Sequence, residues 1–317
     1  MSYLKSLIKK RSTLCIITLL AFIPIEIFAS DSATQNLSDA EQQLQQAINN
    51  ADDNSAESLN TTVSDPKKSH QAVAKPELPR ELPPELQAQL LQEMIWVEGG
   101  SFEMGSRLPI AANREKPAHT VTLDGFYIGK TEVTQHLFEA IMGWNYSYFP
   151  CPNCPMNNIS WFNMQLFIDR LNQATGKVFR LPTEAEWAYA AKGGQQSKNY
   201  LYSGSNNIDE VAWYADNAER RSHPVATKKP NELGLYDMTG NLWEFCQDNM
   251  KRRIYTEEPR VNPLYLPNKN SKKKAMKVLR GSGYEFAASE SEVFRRDGAT
   301  NNVRMPDIGF RLAMTKN

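Results

Sequence analysis

Runs of alternating apolar and polar residues open the part of the chain that has the composition of a folded domain. The segments IWVEGGSFEMGS, at residues 95–106, and HTVTLDGFYIGKTEV, at residues 119–133, place an apolar side chain at about every second position. This period of two is typical of β-strands that bury one face. The pattern therefore predicts several short strands in this stretch.

Helices with recognisable ends follow the strands. In LPTEAEWAYAAKGG, Thr183 and Glu186 form a capping box, and Gly193 ends the helix after Lys192 in its last turn. Ser160 is the predicted cap of a second helix, whose apolar positions are Trp161, Met164, Leu166, Ile168 and Leu171. After residue 194 the chain is rich in Gly, Asn, Pro and aromatic residues with little periodicity, so we expect an α+β fold with much irregular structure.

The N-terminus is typical of an exported protein. Four basic residues between Lys5 and Arg11 precede an apolar run from Leu14 to Phe28, which ends in small residues. This pattern predicts a signal peptide at residues 1–30, with a retained membrane anchor as the alternative. We therefore expect the protein in the periplasm or at the cell surface of a bacterium. Its only membrane contact would be an uncleaved N-terminal segment.

A polar, Pro-rich segment separates this N-terminus from the folded part. Residues 31–85 are rich in Ser, Asn, Gln, Asp, Glu, Ala and Pro and contain almost no aromatic residues, which is typical of a disordered tether. The remaining residues, 86–317, form one predicted domain, which contains all six tryptophans.

Charge argues against a nucleic-acid partner. The chain has 36 basic and 36 acidic residues, and loss of residues 1–30 changes the formal net charge from 0 to −3. One basic run interrupts this balance in a stretch that is typical of an exposed loop; its members are Lys269, Lys272, Lys273, Lys274 and Lys277. A solvated insertion is the leading interpretation of this run, and an anionic partner is the alternative.

Two cysteines lie close together in FPCPNCPMN. In an oxidising compartment, Cys151 and Cys154 are expected to form a local disulfide. A catalytic dithiol and half of a zinc site remain as alternatives. Cys246 is the odd thiol, and its apolar, aromatic surroundings predict a buried and inert side chain.

The order of motifs along the chain resembles one family. GGSFEMGS, FYIGKTEVT, FRLPTEAEWAYAAKGG, HPVATKKPNELGLYDMTGNLWEF, VLRG and GFRLA occur in the order seen in formylglycine-generating enzymes, also called sulfatase-modifying factors. The resemblance covers residues 94–313. It implies a compact, irregular α+β fold of the C-type-lectin-like kind.

The copper chemistry of that family is not expected here. The resemblance places two copper-binding cysteines at the positions that Phe286 and Ser291 occupy, and neither residue replaces a thiolate. The turn before them reads Gly281, Ser282, Gly283 rather than Gly-Gly-Ser. No catalytic residue is therefore assigned, and copper is not an expected cofactor. Iron remains open, although the spacing of the histidines, which are His70, His119, His136 and His223, does not suggest a shared site.

The resemblance also implies a calcium site in the turn DMTGNLWE. Its ligands would be the Asp237 and Glu244 side chains and the backbone carbonyls of Gly240 and Leu242, an all-oxygen set that suits calcium. The alternative is that both carboxylates satisfy backbone amides without a metal.

The C-terminal arginines and aromatics suggest a ligand-binding surface. Arg311, between core residues in GFRLA, is expected to form a buried structural pair. The predicted surface residues are Tyr284, Phe286, Phe294, Arg295, Arg296 and Arg304.

These observations favour an exported binding or assembly module of the bacterial envelope, whose partner is an unnamed protein or small molecule. The first alternative is an atypical metal-dependent, oxygen-using oxidoreductase or tailoring enzyme of the same family. The second is a surface receptor with a diversified C-terminal segment.

Overall fold

A computed structural model of the chain describes residues 82–266 and 276–316. The predicted signal peptide, residues 31–81 of the predicted tether and all of the basic run except Lys277 lie outside the described residues. The first described helix begins at Pro84, two residues before the predicted start of the domain.

The described residues form five α-helices and eleven strands. The helices are α1 (Pro84–Gln92), α2 (Gln135–Met142), α3 (Trp161–Thr175), α4 (Glu184–Ala191) and α5 (Ile208–Val211). The strands are β1 (Met94–Val97), β2 (Gly100–Met104), β3 (His119–Leu123), β4 (Phe126–Gly129), β5 (Phe179–Arg180), β6 (Trp243–Asn249), β7 (Arg260–Val261), β8 (Met276–Arg280), β9 (Arg296–Thr300), β10 (Ile308–Gly309) and β11 (Ala313–Thr315).

The strands build three small sheets. One has the order β1-β4-β11-β5 with antiparallel neighbours, and another has the order β2-β3-β7. The remaining sheet has the order β10-β6-β8-β9, in which β10 and β6 are parallel and the other pairs are antiparallel. Because β8, β9 and β10 flank the C-terminal loops, this sheet positions the candidate site.

Local sequence signals fix the ends of two central helices. The Thr183 hydroxyl accepts a hydrogen bond from the Glu186 backbone N–H (3.1 Å), and the Glu186 carboxylate accepts one from Thr183 (2.8 Å). Ser160 caps α3 in the same way through the Asn163 N–H (3.3 Å). Lys192 lies at the cap position just beyond α4, where the left-handed φ of Gly193 turns the chain away. Both predicted helices are therefore present.

Large side chains fill two core clusters, one beneath α2 and α3 and one around α4. Trp187 of α4 is fully buried, and so are three long arginines, Arg280, Arg296 and Arg311. The mixture of short sheets, helices and long irregular segments confirms the predicted α+β class. Among the helices of residues 82–266 and 276–316, none combines the length and the hydropathy that crossing a bilayer requires.

Candidate functional site

The loop between β8 and β9 contains Phe286 and Ser291, the two positions at which formylglycine-generating enzymes have copper-binding cysteines. It leaves β8 through Gly281 and Ser282, which both have left-handed φ angles (96° and 69°). The Tyr284 N–H then bonds to the Asn241 carbonyl (2.9 Å), and the Phe286 carbonyl accepts from Ala215 (3.0 Å). These backbone bonds anchor the loop to two other segments of the domain.

The residues at these two positions, Phe286 and Ser291, provide no thiolate ligand for a metal. The half-buried Phe286 ring packs edge-on against Trp243, with 5.4 Å between the ring centroids. Ser291 is buried, and its hydroxyl lies 3.0 Å from both the Ser282 hydroxyl and the Ala287 carbonyl. Because an apolar ring and a buried hydroxyl replace the thiols, these two positions cannot hold copper(I) as the family's dithiol does.

The cysteines that are described lie away from this loop. The sulfurs of Cys151 and Cys154 are 2.19 Å apart, at bonding distance. Cys246 is fully buried in β6, and burial, reinforced by the charges of Glu184 and Asp248, raises the pKa of its thiol. The Cys246 thiol therefore stays protonated and unreactive.

Burial raises the pKa of two titratable groups beside the loop, Tyr284 and Asp307. Burial raises the pKa of Tyr284 to about 12, and the carboxylates of Glu285 and Asp307 act in the same direction. Burial raises the pKa of Asp307 as well, and its Oδ1 has no hydrogen-bond partner in the described part of the chain. At neutral pH Tyr284 is thus a phenol and not a phenolate nucleophile.

An exposed aromatic loop borders this site. In residues 144–149, Trp144 stacks on Tyr146 with 4.7 Å between centroids, and Tyr148 packs edge-on against Phe149. Tyr146 and Tyr148 are 58% and 64% exposed, which is unusual for rings of this size. This loop was not predicted from the sequence, because it belongs to none of the strand or helix patterns. The alternating aromatic residues of WNYSYF are the signal that marks it.

The aromatic loop is fixed to the C-terminal segment. The side chain of Asn158 donates to the Tyr146 carbonyl (2.8 Å), and its backbone N–H donates to the Met305 carbonyl (2.9 Å). Arg304, next to Met305, donates to the Asn163 side chain (3.2 Å) at the start of α3. We call the resulting surface the aromatic face; its members are Tyr146, Tyr148, Phe149, Arg304 and Met305.

The binding surface predicted from sequence requires correction. Arg304 is exposed, and Phe286 and Arg295 are half-buried, but Tyr284, Phe294 and Arg296 are buried and do not line an open surface. The cause for Arg296 is a bidentate ion pair with Glu184 at 2.6 and 2.7 Å.

Arg295 is likewise held by carboxylates. Its guanidinium pairs with Glu292 (2.6 Å) and reaches the fully buried Glu115 (3.2 Å). These contacts pull the side chain inward, so that it is not available as part of a surface cluster.

The residues predicted to bind calcium lie in a buried acidic region. Both oxygens of Glu244 accept from Arg311 at 2.6 Å, and Trp187 also donates to Oε2 (2.8 Å). Asp237 accepts from the Ala226 N–H through Oδ2 (2.8 Å), while its Oδ1 is buried without a partner among the described residues.

Charge balance in this region fits a bound cation. Glu132 is a third buried carboxylate, and its Oε1 also has no partner in the described chain. Three ionised carboxylates against Arg311 would leave two negative charges uncompensated. Burial therefore raises the pKa of Asp237 to about 6 and that of Glu132 well above its usual range. Two protons or one divalent cation would neutralise the excess. The oxygens open to such a cation are Asp237 Oδ1 and Glu132 Oε1, because Arg311 occupies both oxygens of Glu244.

The described histidines are not brought together. His223 stacks on Trp213 (3.8 Å between centroids) and contacts the Ala218 carbonyl, whereas His136 is exposed and His119 packs against Tyr255. His70 lies outside the described residues. Within residues 82–266 and 276–316, no group of three or more His, Cys, Asp and Glu side chains is arranged around a common point.

Comparisons with known proteins identify the relatives of this chain. The profile described as "Sulfatase-modifying factor enzyme 1-like domain" matches residues 79–316. Chaperone protein LppX of Paenibacillus barcinonensis is 30% identical over 71% of this chain and 90% of its own length. The formylglycine-generating enzyme of Streptomyces coelicolor is 26% identical over 69% and 88%. The solved structure of Treponema denticola variable protein 1 aligns with a TM-score of 0.63 at 30% identity, covering 70% of this chain and 95% of that one.

Proposed function

The chain belongs to the sulfatase-modifying factor family, and from this membership we propose that it is a non-oxidase member, a binding or assembly module of the bacterial envelope. The observation that carries the proposal is the replacement of the copper-binding pair by Phe286 and the buried Ser291. Family members that generate formylglycine need a soft, thiol-based site for copper(I). Without it, the same scaffold is left with surfaces suited to binding.

The aromatic face is the proposed partner site. Tyr146, Tyr148 and Phe149 offer large, rigid rings, and Arg304 adds a charge at the edge. Aromatic residues and arginine are enriched at the energetic centres of protein interfaces. The similarity to a protein named as a chaperone supports a role in assisting another exported protein.

Export and the tether complete the proposal. The basic residues between Lys5 and Arg11 and the apolar run from Leu14 to Phe28 support passage across the inner membrane. Residues 31–85 would hold the domain at a distance from whatever lies at the N-terminus. We further propose a structural calcium ion held by Asp237, Glu244 and the carbonyls of Gly240 and Leu242. This ion would neutralise buried charge and would take no part in a reaction.

Site-specific crosslinking tests the partner site. A photoreactive residue at Tyr148 in the full-length protein, expressed in its bacterial host, is expected to give discrete adducts. Val178 is the matched control because it has the same exposed fraction, 64%, and is not part of the aromatic face. Adduct patterns that do not differ between the two positions would argue against this surface.

A separate assay tests the absence of oxidase activity. The purified protein, supplied with copper(I), oxygen and a cysteine peptide carrying the sulfatase motif, is expected to leave the peptide mass unchanged. A cysteine-to-formylglycine mass change would refute the non-oxidase proposal.

A further inference from the structure

A cavity lies apart from the loop that contains Phe286 and Ser291. It has a volume of about 330 Å³ and is bounded by the start of α4, the end of β6, the start of β3 and the segment 254–265. Its apolar walls include Met104, Ile254 and Leu264. This volume is at the lower end of the range for small-molecule sites, which run from about 300 to 1,000 Å³.

Hydrogen bonds fix the walls of this cavity. Asp248 accepts from the backbone N–H groups of Tyr265 and Glu184, both at 2.8 Å, and the Asn249 N–H bonds to the Tyr265 carbonyl at 2.7 Å. Strand β7, which includes Arg260, pairs with β3. The segment 254–265 is therefore held against the domain in its middle and at Tyr265, and the cavity is pre-formed.

An acceptor with unused capacity lies on the His119 ring, which lines this space. The Nδ1 atom of His119 lies 3.3 Å from the Pro117 carbonyl, to which it donates, and this leaves Nε2 as an acceptor in the neutral ring. Burial lowers the pKa of His119, and the nearby positive charge of Arg260 adds to that effect, so the ring is neutral at pH 7.

Arg260 supplies a positive charge at the same cavity. Its guanidinium donates to the hydroxyl of Thr256 (3.3 Å), a neutral partner. The two buried carboxylates of the cavity wall have other partners. Glu184 pairs with Arg296 and accepts from the Tyr255 hydroxyl (3.0 Å), and Asp248 accepts from two backbone N–H groups. The charge of Arg260 is therefore available to a ligand.

From these contacts we propose that the cavity is a binding site for a small organic anion. The ligand has an apolar, flat body that packs on Met104 and Leu264, and a carboxylate that pairs with Arg260. It also has a hydroxyl or N–H group that donates to His119 Nε2. An arylacetic or arylcarboxylic acid with a ring hydroxyl has this combination. The site is independent of the aromatic face and of the proposed partner function.

Calorimetric titration of the full-length protein with 4-hydroxyphenylacetate tests the proposal. We expect saturable binding below about 10 mM, the range that ligands of this size reach. Phenylacetate lacks the hydroxyl donor, and 4-hydroxyphenylethanol lacks the carboxylate. Each analogue is expected to bind at least about fivefold more weakly, because it leaves one protein group of the cavity unpaired.

A matched pair of variants locates the binding. Arg260→Gln is expected to weaken 4-hydroxyphenylacetate at least about fivefold and to leave 4-hydroxyphenylethanol unchanged, because only the ion pair is lost. Arg252→Gln is the control, since Arg252 precedes the same segment but does not line the cavity. The absence of binding by the unaltered protein, or equal weakening by both variants, would overturn the proposal. The comparison of the three ligands on the unaltered protein decides the matter if a variant does not fold.

Discussion

Arg311→Met is the most informative test of how this domain is stabilised. The Arg311 side chain is fully buried and makes four hydrogen bonds. Two go to the Glu244 carboxylate at 2.6 Å, and the others go to the carbonyls of Gly129 and Tyr236 at 3.1 Å. Methionine fills most of the same volume but provides neither the charge nor the donors.

The expected loss follows from the charge that remains. Without Arg311, Glu244 keeps one donor from Trp187 and stays beside Asp237 and Glu132. Removal of one partner of a buried ion pair costs about 3–5 kcal/mol in the free energy of unfolding. For a domain of this size, about 1 kcal/mol corresponds to a change of roughly 2–4 °C in the melting temperature. We therefore expect the melting temperature to fall by about 6–20 °C.

Urea denaturation and differential scanning calorimetry would measure this loss. Arg304→Met is the control, because Arg304 is exposed and makes one 3.2 Å hydrogen bond, so its loss should stay within about 0.5 kcal/mol. The double variant Arg311→Met, Glu244→Gln should recover part of the stability, since it removes the unpaired charge. A loss below about 1 kcal/mol for Arg311→Met would refute the argument.

Three further predictions follow from the buried groups. Burial raises the pKa of Asp248 from 3.8 to about 7. Between these two values the folded protein holds a proton that the unfolded chain has lost, so its free energy of unfolding should fall by about 1.4 kcal/mol for each unit by which the pH rises. Urea melts at pH 5 and pH 8 should show a smaller difference for Asp248→Asn, and equal differences would contradict the shift. Chelation should lower the melting temperature of the unaltered protein but not of Asp237→Asn, and elemental mass spectrometry should find about one calcium per chain. An unchanged melting temperature would argue against calcium, and stoichiometric copper or iron would favour the oxidase alternative. A thiol reagent applied to the unreduced, denatured protein should label Cys246 and spare Cys151 and Cys154, and labelling of the latter two would refute the disulfide.

Short-range patterns made much of the fold predictable. The capping box of Thr183 and Glu186 lies within three residues, and the alternation in 95–106 and 119–133 corresponds to strands β1 to β4. Each of these signals depends only on residues that are close in sequence, so it can be recognised without knowing which distant segments the fold brings together. The α+β class followed from the same signals.

Long-range pairing explains why two arginines of the predicted binding surface, Arg295 and Arg296, are drawn inward. Arg296 is buried because Glu184, 112 residues earlier, lies opposite it, and Arg295 is drawn inward by Glu115, 180 residues earlier. No local pattern reveals such partners. An arginine is therefore expected to be exposed unless the structure shows a carboxylate that pairs with it. The buried environment of Arg311 was predictable only because apolar residues flank it directly.

The buried ion pairs suggest how this fold tolerates a change of function. Its sheets are short, and much of the chain between residues 197 and 242 has neither helix nor strand. The pair of Arg296 and Glu184 joins β9 to α4, and the pair of Arg311 and Glu244 joins the segment between β10 and β11 to β6. Each pair leaves a large penalty if one partner is lost. The loops at residues 144–149 and 284–291 lie outside these pairs. Substitution of a thiol by Phe286 or Ser291 therefore alters the chemistry of this loop without removing what holds the domain together. On this argument, a binding module and an oxidase can share one scaffold, and the residues that separate them are those of the loops.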